Sequence, residues 1–171
     1  MKSNLVPDKV YSSIFAITPA DLAGRSHMII DVDNTLLATF DPDVDSEVLA
    51  FFADLRAHQL LTGLCLVSNV GLATPKRLRR IKRIAQQLQA HYVCAYGWYA
   101  KPHHRPFKKA MRLLSSTPET TVMVGDQIFT DIRGGNQLGI YTILVSPIGK
   151  DSWPTLYRRW LERRLPKRAE D

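Results

Sequence analysis

The sequence predicts an α/β fold: a three-layer, doubly wound and mostly parallel sheet with helices on both faces. Two observations predict it. Short, continuous apolar runs recur along the chain of 171 residues, and segments with helical spacing of apolar residues lie between them. Parallel strands need helical crossovers and are covered on both faces, so their sequences are apolar throughout. With 45% hydrophobic and 23% charged residues, we expect one globular domain over residues 1–171.

The predicted strands are short runs rich in Val, Ile, Leu and aromatic residues, and each ends at polar residues or glycine. They cover residues 28–30, 64–67, 91–94, 121–124 and 140–145.

The predicted helices lie between these strands and have apolar residues three and four positions apart. They cover residues 46–58, a segment that begins at residue 75, residues 106–114 and residues 130–138. Asp45 or Ser46 is a suitable cap for the first helix. Thr74 followed by Pro75 is a typical opening for the second, since proline suits the first helical position.

The charges are strongly segregated. The net charge is +7, and no Asp or Glu occurs between Asp54 and Glu119, a stretch that contains many Lys and Arg residues. A second basic cluster with aromatic residues follows Trp153; its bases are Arg158, Arg159, Arg163, Arg164, Lys167 and Arg168. Such clusters favour polyanions, namely nucleic acid, an anionic membrane surface or a phosphorylated substrate. The alternative is an ordinary solvated helix face.

The two cysteines and the start of the chain bear on compartment. Cys65 and Cys94 lie in apolar runs, where a thiol acts as a small buried hydrophobe, so we expect both to be reduced. The first residues lack the apolar segment of a secretory signal, and no run is long enough to span a membrane. We therefore expect a cytoplasmic protein.

Polar residues follow the predicted strands at the points where the strands end. They are Asp31, Asp33, Ser68, Asn69, Lys101, Asp126 and Asp131. Each alone is also compatible with a turn, a cap or a surface charge. In a parallel sheet, however, ligands bind beyond the carboxyl ends of the strands, so these side chains are expected to converge. Clustered carboxylates predict a divalent cation such as Mg²⁺, while a hydroxyl at Ser68 and a charge at Lys101 suit phosphoryl oxygens.

In this order the motifs resemble the four signatures of the haloacid dehalogenase-like (HAD) superfamily. They are the segment Asp-Val-Asp-Asn-Thr-Leu from Asp31, the strand-terminal Ser68, the lysine Lys101, and the segment from Gly125 to Asp131. Residues 134–136, 141–147, 5–8 and 17–19 also resemble the YqeG-type branch (subfamily IIIA), which is similar to mitochondrial and plastid phosphatidylglycerophosphate phosphatases.

The resemblance implies a HAD-like Rossmannoid fold and a role for each signature residue. Asp31 would attack phosphorus, and Asp33 would act as the general acid and base. The metal Mg²⁺ would be held by Asp31, by the backbone carbonyl of Asp33 and by Asp126. Asp131 would hold a metal-bound water or Lys101. Ser68 and Lys101 would complete the catalytic set. Thr35 and Asn69 are expected to bind substrate.

The spacing of the signatures indicates a site without a cap domain. Only 32 residues separate Thr35 from Ser68, and another 32 separate Ser68 from Lys101. An open site suits a phosphate on a large carrier, such as an anionic phospholipid. Apolar residues near the start of the chain and residues 153–165 predict terminal helices that contact a membrane peripherally. The alternative is that both segments pack on the core and present ordinary charged faces. The apolar residues near the start are Val10, Tyr11, Ile14 and Ile17.

The leading hypothesis is thus a Mg²⁺-dependent phosphatase acting on phosphatidylglycerophosphate. One alternative is a phosphatase of nucleotides or nucleic-acid ends, and another is a phosphate-binding module without catalysis. His103 and His104 either contact a second phosphate or lie in a solvent-exposed loop. A cysteine-based phosphatase is excluded, because neither cysteine is followed at the required spacing by arginine, and no glycine-rich nucleotide loop occurs.

Overall fold

A computed structural model describes residues 4–71 and 74–148. The strands in these residues form one parallel sheet in the order β1-β6-β5-β2-β3-β4. Their bounds are β1 Lys9–Tyr11, β2 His27–Ile30, β3 Gly63–Asn69, β4 His91–Ala95, β5 Thr121–Gly125 and β6 Tyr141–Val145. The predicted doubly wound α/β fold is confirmed, and each of the five predicted strands is present.

Helices cover both faces of this sheet. They are α1 Pro19–Leu22, α2 Ser46–Ala57, α3 Pro75–Gln87, α4 His104–Leu114 and α5 Arg133–Asn136. Alternate residues of β2 show the two layers: Met28 and Ile30 pack in the hydrophobic cluster that includes α2 and α3, whereas Ile29 packs in the cluster that includes Phe107 of α4. These three of the four β2 residues are fully buried, as expected for a central parallel strand.

The chain reverses its direction of winding between β2 and β5. It runs from β2 to β3 and β4 on one side, then crosses to β5 and continues to β6. Ile30 is the register partner of Val124, and the amide of Asp31 donates to the carbonyl of Val124 at 3.0 Å. The residues that follow β2 and β5 therefore lie side by side, at the position where open parallel sheets bind ligands.

The helix boundaries differ from the sequence prediction at two places. Helix α4 begins at His104 rather than at residue 106, because the ring of His103 accepts a hydrogen bond from the amide of Arg105 at 3.1 Å and caps the helix. The predicted helix over residues 130–138 is instead one turn of π-helix, Ile128–Ile132, followed by α5. The segments between the signatures contain no inserted cap domain within the described residues.

The predicted N-terminal interfacial helix is wrong. Lys9–Tyr11 forms the edge strand β1, which pairs in parallel with β6. Val10 is 63% exposed, but Ile14 and Ile17 are buried in the core, so these residues do not share one apolar stripe. Pairing with β6 satisfies the backbone N–H and C=O groups of β1. The spacing of apolar residues in the sequence does not reveal this pairing.

The predicted interfacial segment at residues 153–165 lies outside the described residues. In the part of the chain that the structure describes, no helix has the length and apolar character required to cross a membrane. Both cysteines are free, as expected, and burial raises the pKa of Cys65 to about 12.

Candidate active site

A cavity of about 230 Å³ opens at the carboxyl edge of β2 and β3. The predicted residues Asp31, Asp33, Ser68, Asn69 and Lys101 all line it. Each comes from the end of a strand or from the loop that follows, since the apolar strands end where the chain reaches this edge. These five predicted residues therefore lie together, although up to 70 positions separate them along the chain.

Lys101 is the buried cation of the site. Its Nζ lies 2.7 Å from Oδ1 of Asp31 and 2.7 Å from Oδ1 of Asp131. The Lys101 side chain is 2% exposed, so both ion pairs lie away from water. Contact with Lys101 thus links the ends of β2 and β5, which supply the two carboxylates.

Burial and charge act in opposite directions on these groups. The pKa of the Asp31 carboxyl is raised to about 7, and burial is the largest cause. Lys101 opposes this rise, and the nearby Asp131 adds to it. Burial alone would lower the pKa of Lys101, but Asp131 and Asp31 outweigh burial and hold it above its usual range. Lys101 is therefore the permanent positive charge of the cavity wall.

Three buried carboxylates surround the position where a metal ion would lie. Oxygen atoms of Asp31, Asp126 and Asp131 are all within 4.8 Å of one another. Lys101 supplies one positive charge to the three, so the cluster retains surplus negative charge in a buried setting. Hard oxygen donors with such a surplus fit Mg²⁺. The carboxylate of Asp33 is not in this cluster, and only its backbone carbonyl stays a predicted ligand.

Neighbouring residues fix the orientation of two of these carboxylates. Thr35 donates from its hydroxyl to Oδ1 of Asp126 at 3.3 Å, and the amide of Gln127 donates to Oδ2 of Asp131 at 3.2 Å. A side chain on Gly125 would overlap the carboxyl of Asp131, so this close approach requires glycine.

The substrate-binding role predicted for Thr35 needs correction. Thr35 is 1% exposed and does not line the cavity, because its hydroxyl is directed to Asp126. Asn69 does line the cavity, but its amide also makes two hydrogen bonds to the backbone of Lys101. Both residues therefore position the residues that surround the cavity.

Asp33 forms an ion pair that the sequence did not predict. Its Oδ1 lies 2.8 Å from Nη2 of Arg80, which projects from α3. Arg80 lies 47 positions beyond Asp33, in a helix that contains several other basic residues. No local pattern distinguishes it, so only the tertiary structure identifies this contact.

His103 and His104 do not line the cavity. Their rings stack on each other with centroids 4.3 Å apart, and His103 caps α4. The interpretation that they contact a second phosphate has no support from these positions. Arg77 and Phe40, which were not predicted as site residues, do line the cavity.

The chain is similar to known hydrolases and phosphatases. A HAD-hydrolase-like family model matches residues 98–152, which contain the third and fourth signatures. YqeG of Bacillus subtilis (strain 168), a probable phosphatase, is 32% identical over 168 residues, covering 96% of this chain and 91% of that protein. Pyrophosphatase PpaX of Bacillus mycoides (strain KBAB4) is 41% identical over 68 residues, covering 40% of this chain and 28% of that protein.

A solved structure supports the fold. An uncharacterized protein from Listeria monocytogenes serotype 4b matches with a TM-score of 0.56 and 20% identity, covering 84% of this chain and 86% of that chain. At this identity the likeness concerns the fold alone. The near full-length match to YqeG, together with the four signatures gathered at one sheet edge, decides the family. The chain belongs to the YqeG family of phosphatases within the haloacid dehalogenase-like superfamily.

Proposed function

We propose that the protein is a Mg²⁺-dependent phosphomonoesterase that acts through an aspartyl-phosphate on Asp31, with phosphatidylglycerophosphate as its substrate. One observation carries the chemistry: Lys101 lies 2.7 Å from both Asp31 and Asp131, beside the third carboxylate, Asp126. The buried cation supports this proposal, since Lys101 would offset the charge of a phosphate dianion beside the Asp31 carboxylate.

In the first step, an Oδ atom of Asp31 attacks phosphorus and forms a new P–O bond. The P–O bond to the leaving alcohol breaks, and Asp33 gives its proton to the departing oxygen. Lys101 offsets the repulsion between the Asp31 carboxylate and the incoming phosphate. Ser68, buried in the wall of the same cavity, offers a hydroxyl to the phosphoryl oxygens.

In the second step, water attacks the phosphorus of the aspartyl-phosphate. Asp33 accepts a proton from this water, the P–O bond to Asp31 breaks, and inorganic phosphate leaves. Asp31 regains its carboxylate and Asp33 regains its proton, so the enzyme returns to its starting state.

Asp31, the backbone carbonyl of Asp33, Asp126 and Asp131 are the residues that would hold the metal. When bound, Mg²⁺ supplies positive charge that offsets the charge developing on the transferred phosphoryl group. The surplus of buried carboxylates over Lys101 supports this assignment.

A lipid-borne substrate is supported by exposed aromatic side chains, one in the cavity wall and two in the loop before Lys101. Phe40 lines the cavity and is 71% exposed, and Trp98, three positions before Lys101, is 95% exposed. Tyr96 in the same loop is also exposed. Exposed aromatic residues with polar or basic neighbours favour the interface between water and lipid. We therefore also propose that these three aromatic residues, with the terminal segment at residues 153–165, make peripheral contact with an anionic membrane.

Phosphate release from phosphatidylglycerophosphate in anionic micelles, with and without Mg²⁺, tests the proposal. We expect turnover that requires Mg²⁺ and falls at least a thousandfold in Asp31→Asn, since that change removes the nucleophile. Equal and measurable rates in Asp31→Asn and wild type would show that the nucleophile is assigned wrongly. Rates at background in both proteins would favour the non-catalytic alternative.

The nucleic-acid alternative rests on the exposed bases of α3, such as Lys76 and Arg79. Flotation with anionic liposomes, compared with salt-dependent oligonucleotide binding, separates it from the lipid proposal. No turnover of the lipid beside rapid turnover of a phosphorylated oligonucleotide would overturn the lipid assignment.

A further inference from the structure

Two arginines of α3 line the same cavity as the proposed nucleophile. Arg80 has a side chain that is 15% exposed, and its Nε donates to the backbone carbonyl of Asp41 at 2.7 Å. This hydrogen bond holds the guanidinium at the cavity wall. Arg77 is one helical turn earlier and is exposed at the mouth.

The guanidinium of Arg80 is paired on one side only. Nη2 lies 2.8 Å from Oδ1 of Asp33, in an ion pair that lacks hydrogen-bond geometry. Asp33 therefore offsets much of the Arg80 charge. Because the Arg80 side chain lines the cavity, its guanidinium can still contribute a charge-assisted contact to an anionic oxygen there.

Arg77 has even fewer partners. Among residues 4–71 and 74–148, no carboxylate lies within ion-pair distance of its guanidinium. The first turn of α3 contains no acidic residue, so the helix dipole adds positive potential to that of Arg77. At this end of α3 the charge of Arg80 is offset by Asp33, whereas the charge of Arg77 is not offset by any carboxylate of the described residues.

These arginines are distinct from the groups assigned to the reacting phosphate. Lys101, Ser68 and the carboxylate cluster lie at the ends of β2, β3 and β5 and in the loop before α4, whereas Arg77 and Arg80 come from α3. A ligand that contacts both sets must carry negative charge at two places. A phosphomonoester with a phosphodiester on the same molecule has this property.

We propose that Arg77 and Arg80 form a second anion subsite, an inference that rests on the proposed function. This subsite binds the phosphodiester of a glycerol-linked head group while the terminal phosphomonoester of the same molecule lies at Asp31. Arginine suits this role, because its planar donors pair with two phosphate oxygens at once. Arg80 also contacts Asp33, so the Arg77 substitution gives the cleaner test.

The first test compares two soluble substrates in the presence of Mg²⁺. Glycerophosphoglycerol phosphate has the diester and the terminal monoester, and glycerol 3-phosphate has the monoester alone. We expect Arg77→Ala to lower the ratio of kcat/KM between the first and the second about tenfold, the effect of losing one charge-assisted hydrogen bond. Arg77→Lys should restore part of the ratio.

Arg79→Ala is the matched control. Arg79 is exposed on the same helix but does not line the cavity, so its removal should leave the ratio within about twofold of wild type. An unchanged ratio in Arg77→Ala would overturn the proposal. An equal fall in Arg79→Ala would also overturn it, since the effect would then belong to the general field of the helix.

A binding measurement separates failure of the subsite from failure of the proposed function. In Asp31→Asn, calorimetry should show that the added Arg77→Ala change weakens binding of glycerophosphoglycerol phosphate about tenfold. If wild type hydrolyses neither substrate but this difference appears, the proposed function is wrong and the subsite stands. If the difference is absent, the subsite is wrong whatever the enzyme hydrolyses.

A 5′-phosphorylated dinucleotide supplies the same two groups from a nucleic acid. We expect its Arg77-dependent gain in kcat/KM to be smaller than that of the head group. A larger gain would overturn the assignment to a glycerol-linked diester and would place a nucleic-acid end in the subsite.

Discussion

Asn69 holds the backbone of Lys101 by two hydrogen bonds. The amide of Lys101 donates to Oδ1 of Asn69 at 2.8 Å, and Nδ2 of Asn69 donates to the carbonyl of Lys101 at 3.2 Å. Asn69 ends β3, whereas Lys101 lies in the loop before α4. One side chain therefore fixes the position of the buried cation relative to the sheet.

We expect Asn69→Ala to lower kcat for p-nitrophenyl phosphate about tenfold or more, because a displaced Lys101 no longer matches the phosphate. KM should change less than kcat. A merely structural role of Asn69 would not produce this difference between the two constants. Gln86→Ala, an exposed amide on α3, is the control and should leave both constants unchanged. A kcat within twofold of wild type in Asn69→Ala would show that Lys101 keeps its position without this contact.

Lys101→Met tests the charge balance of the buried cluster. The substitution leaves Asp31 and Asp131 buried without their cation, so we expect the free energy of unfolding to fall by about 3 kcal/mol. Adding Asp131→Asn should recover part of the loss. Urea unfolding in the presence of EDTA measures both effects.

Lys108→Met is the control for this change, since Lys108 is exposed on α4. It should alter stability by less than about 0.5 kcal/mol. If Lys101→Met proved as stable as this control, the two ion pairs would contribute nothing to folding.

Mg²⁺ should stabilise the folded protein through the carboxylate cluster. Ions that bind only the native state raise stability by mass action, and ten times the dissociation constant gives about 1.4 kcal/mol, or a few degrees in Tm. Asp126→Asn should lose most of this rise, because Asp126 is one of the three clustered carboxylates. Thermal unfolding with MgCl₂, against KCl of equal ionic strength, makes the measurement.

Asp54→Asn provides the comparison, since the Asp54 side chain is 68% exposed and lies outside the cluster. It should keep the full rise in Tm. An identical rise in Asp126→Asn and wild type would remove Asp126 from the predicted ligands.

Gly125→Ala tests the close approach between β5 and Asp131. The added methyl group would overlap the Asp131 carboxyl, so we expect a loss of about 2 kcal/mol in stability together with a fall in activity. Gly71→Ala is the control, because a methyl group there meets its nearest atom at 3.7 Å, an ordinary contact. Wild-type stability in Gly125→Ala would mean that Asp131 can move without cost.

Much of the site could be predicted from the sequence, because each signature residue follows an apolar strand and the carboxyl ends of parallel strands lie at one edge of the sheet. Asp31, Ser68 and Lys101 lie together for this reason. The ion pair between Asp33 and Arg80 could not be predicted, since it joins a loop to a helix with several basic residues and the sequence does not show which of them reaches Asp33. Strand β1 was misread as helical because three strand residues show no clear alternation of their own.

Asp21 ties the N-terminal segment together and makes stability depend on pH. Its Oδ2 accepts from the amide of Thr18 at 2.8 Å, from the Thr18 hydroxyl at 2.8 Å and from the Tyr11 hydroxyl at 2.9 Å. Burial alone would raise the pKa of Asp21, but these hydrogen bonds outweigh burial and hold it below 3.8. A carboxyl with a lowered pKa contributes stability above its unfolded value, and this contribution is lost as the pH falls below that value.

We therefore expect Asp21→Asn to be about 1 kcal/mol less stable than wild type at pH 7, the scale of one hydrogen bond to a charged group. This difference in the free energy of unfolding should narrow as the pH falls below 3.8, because the Asp21 carboxyl gains its proton in the unfolded protein before it does so in the folded protein. Urea unfolding between pH 7 and pH 2.5 follows the gap. Asp54→Asn removes an exposed carboxylate instead and should show little change with pH. A gap in Asp21→Asn that stays constant across this range would show that the hydrogen bonds from Thr18 and Tyr11 do not depend on the charge.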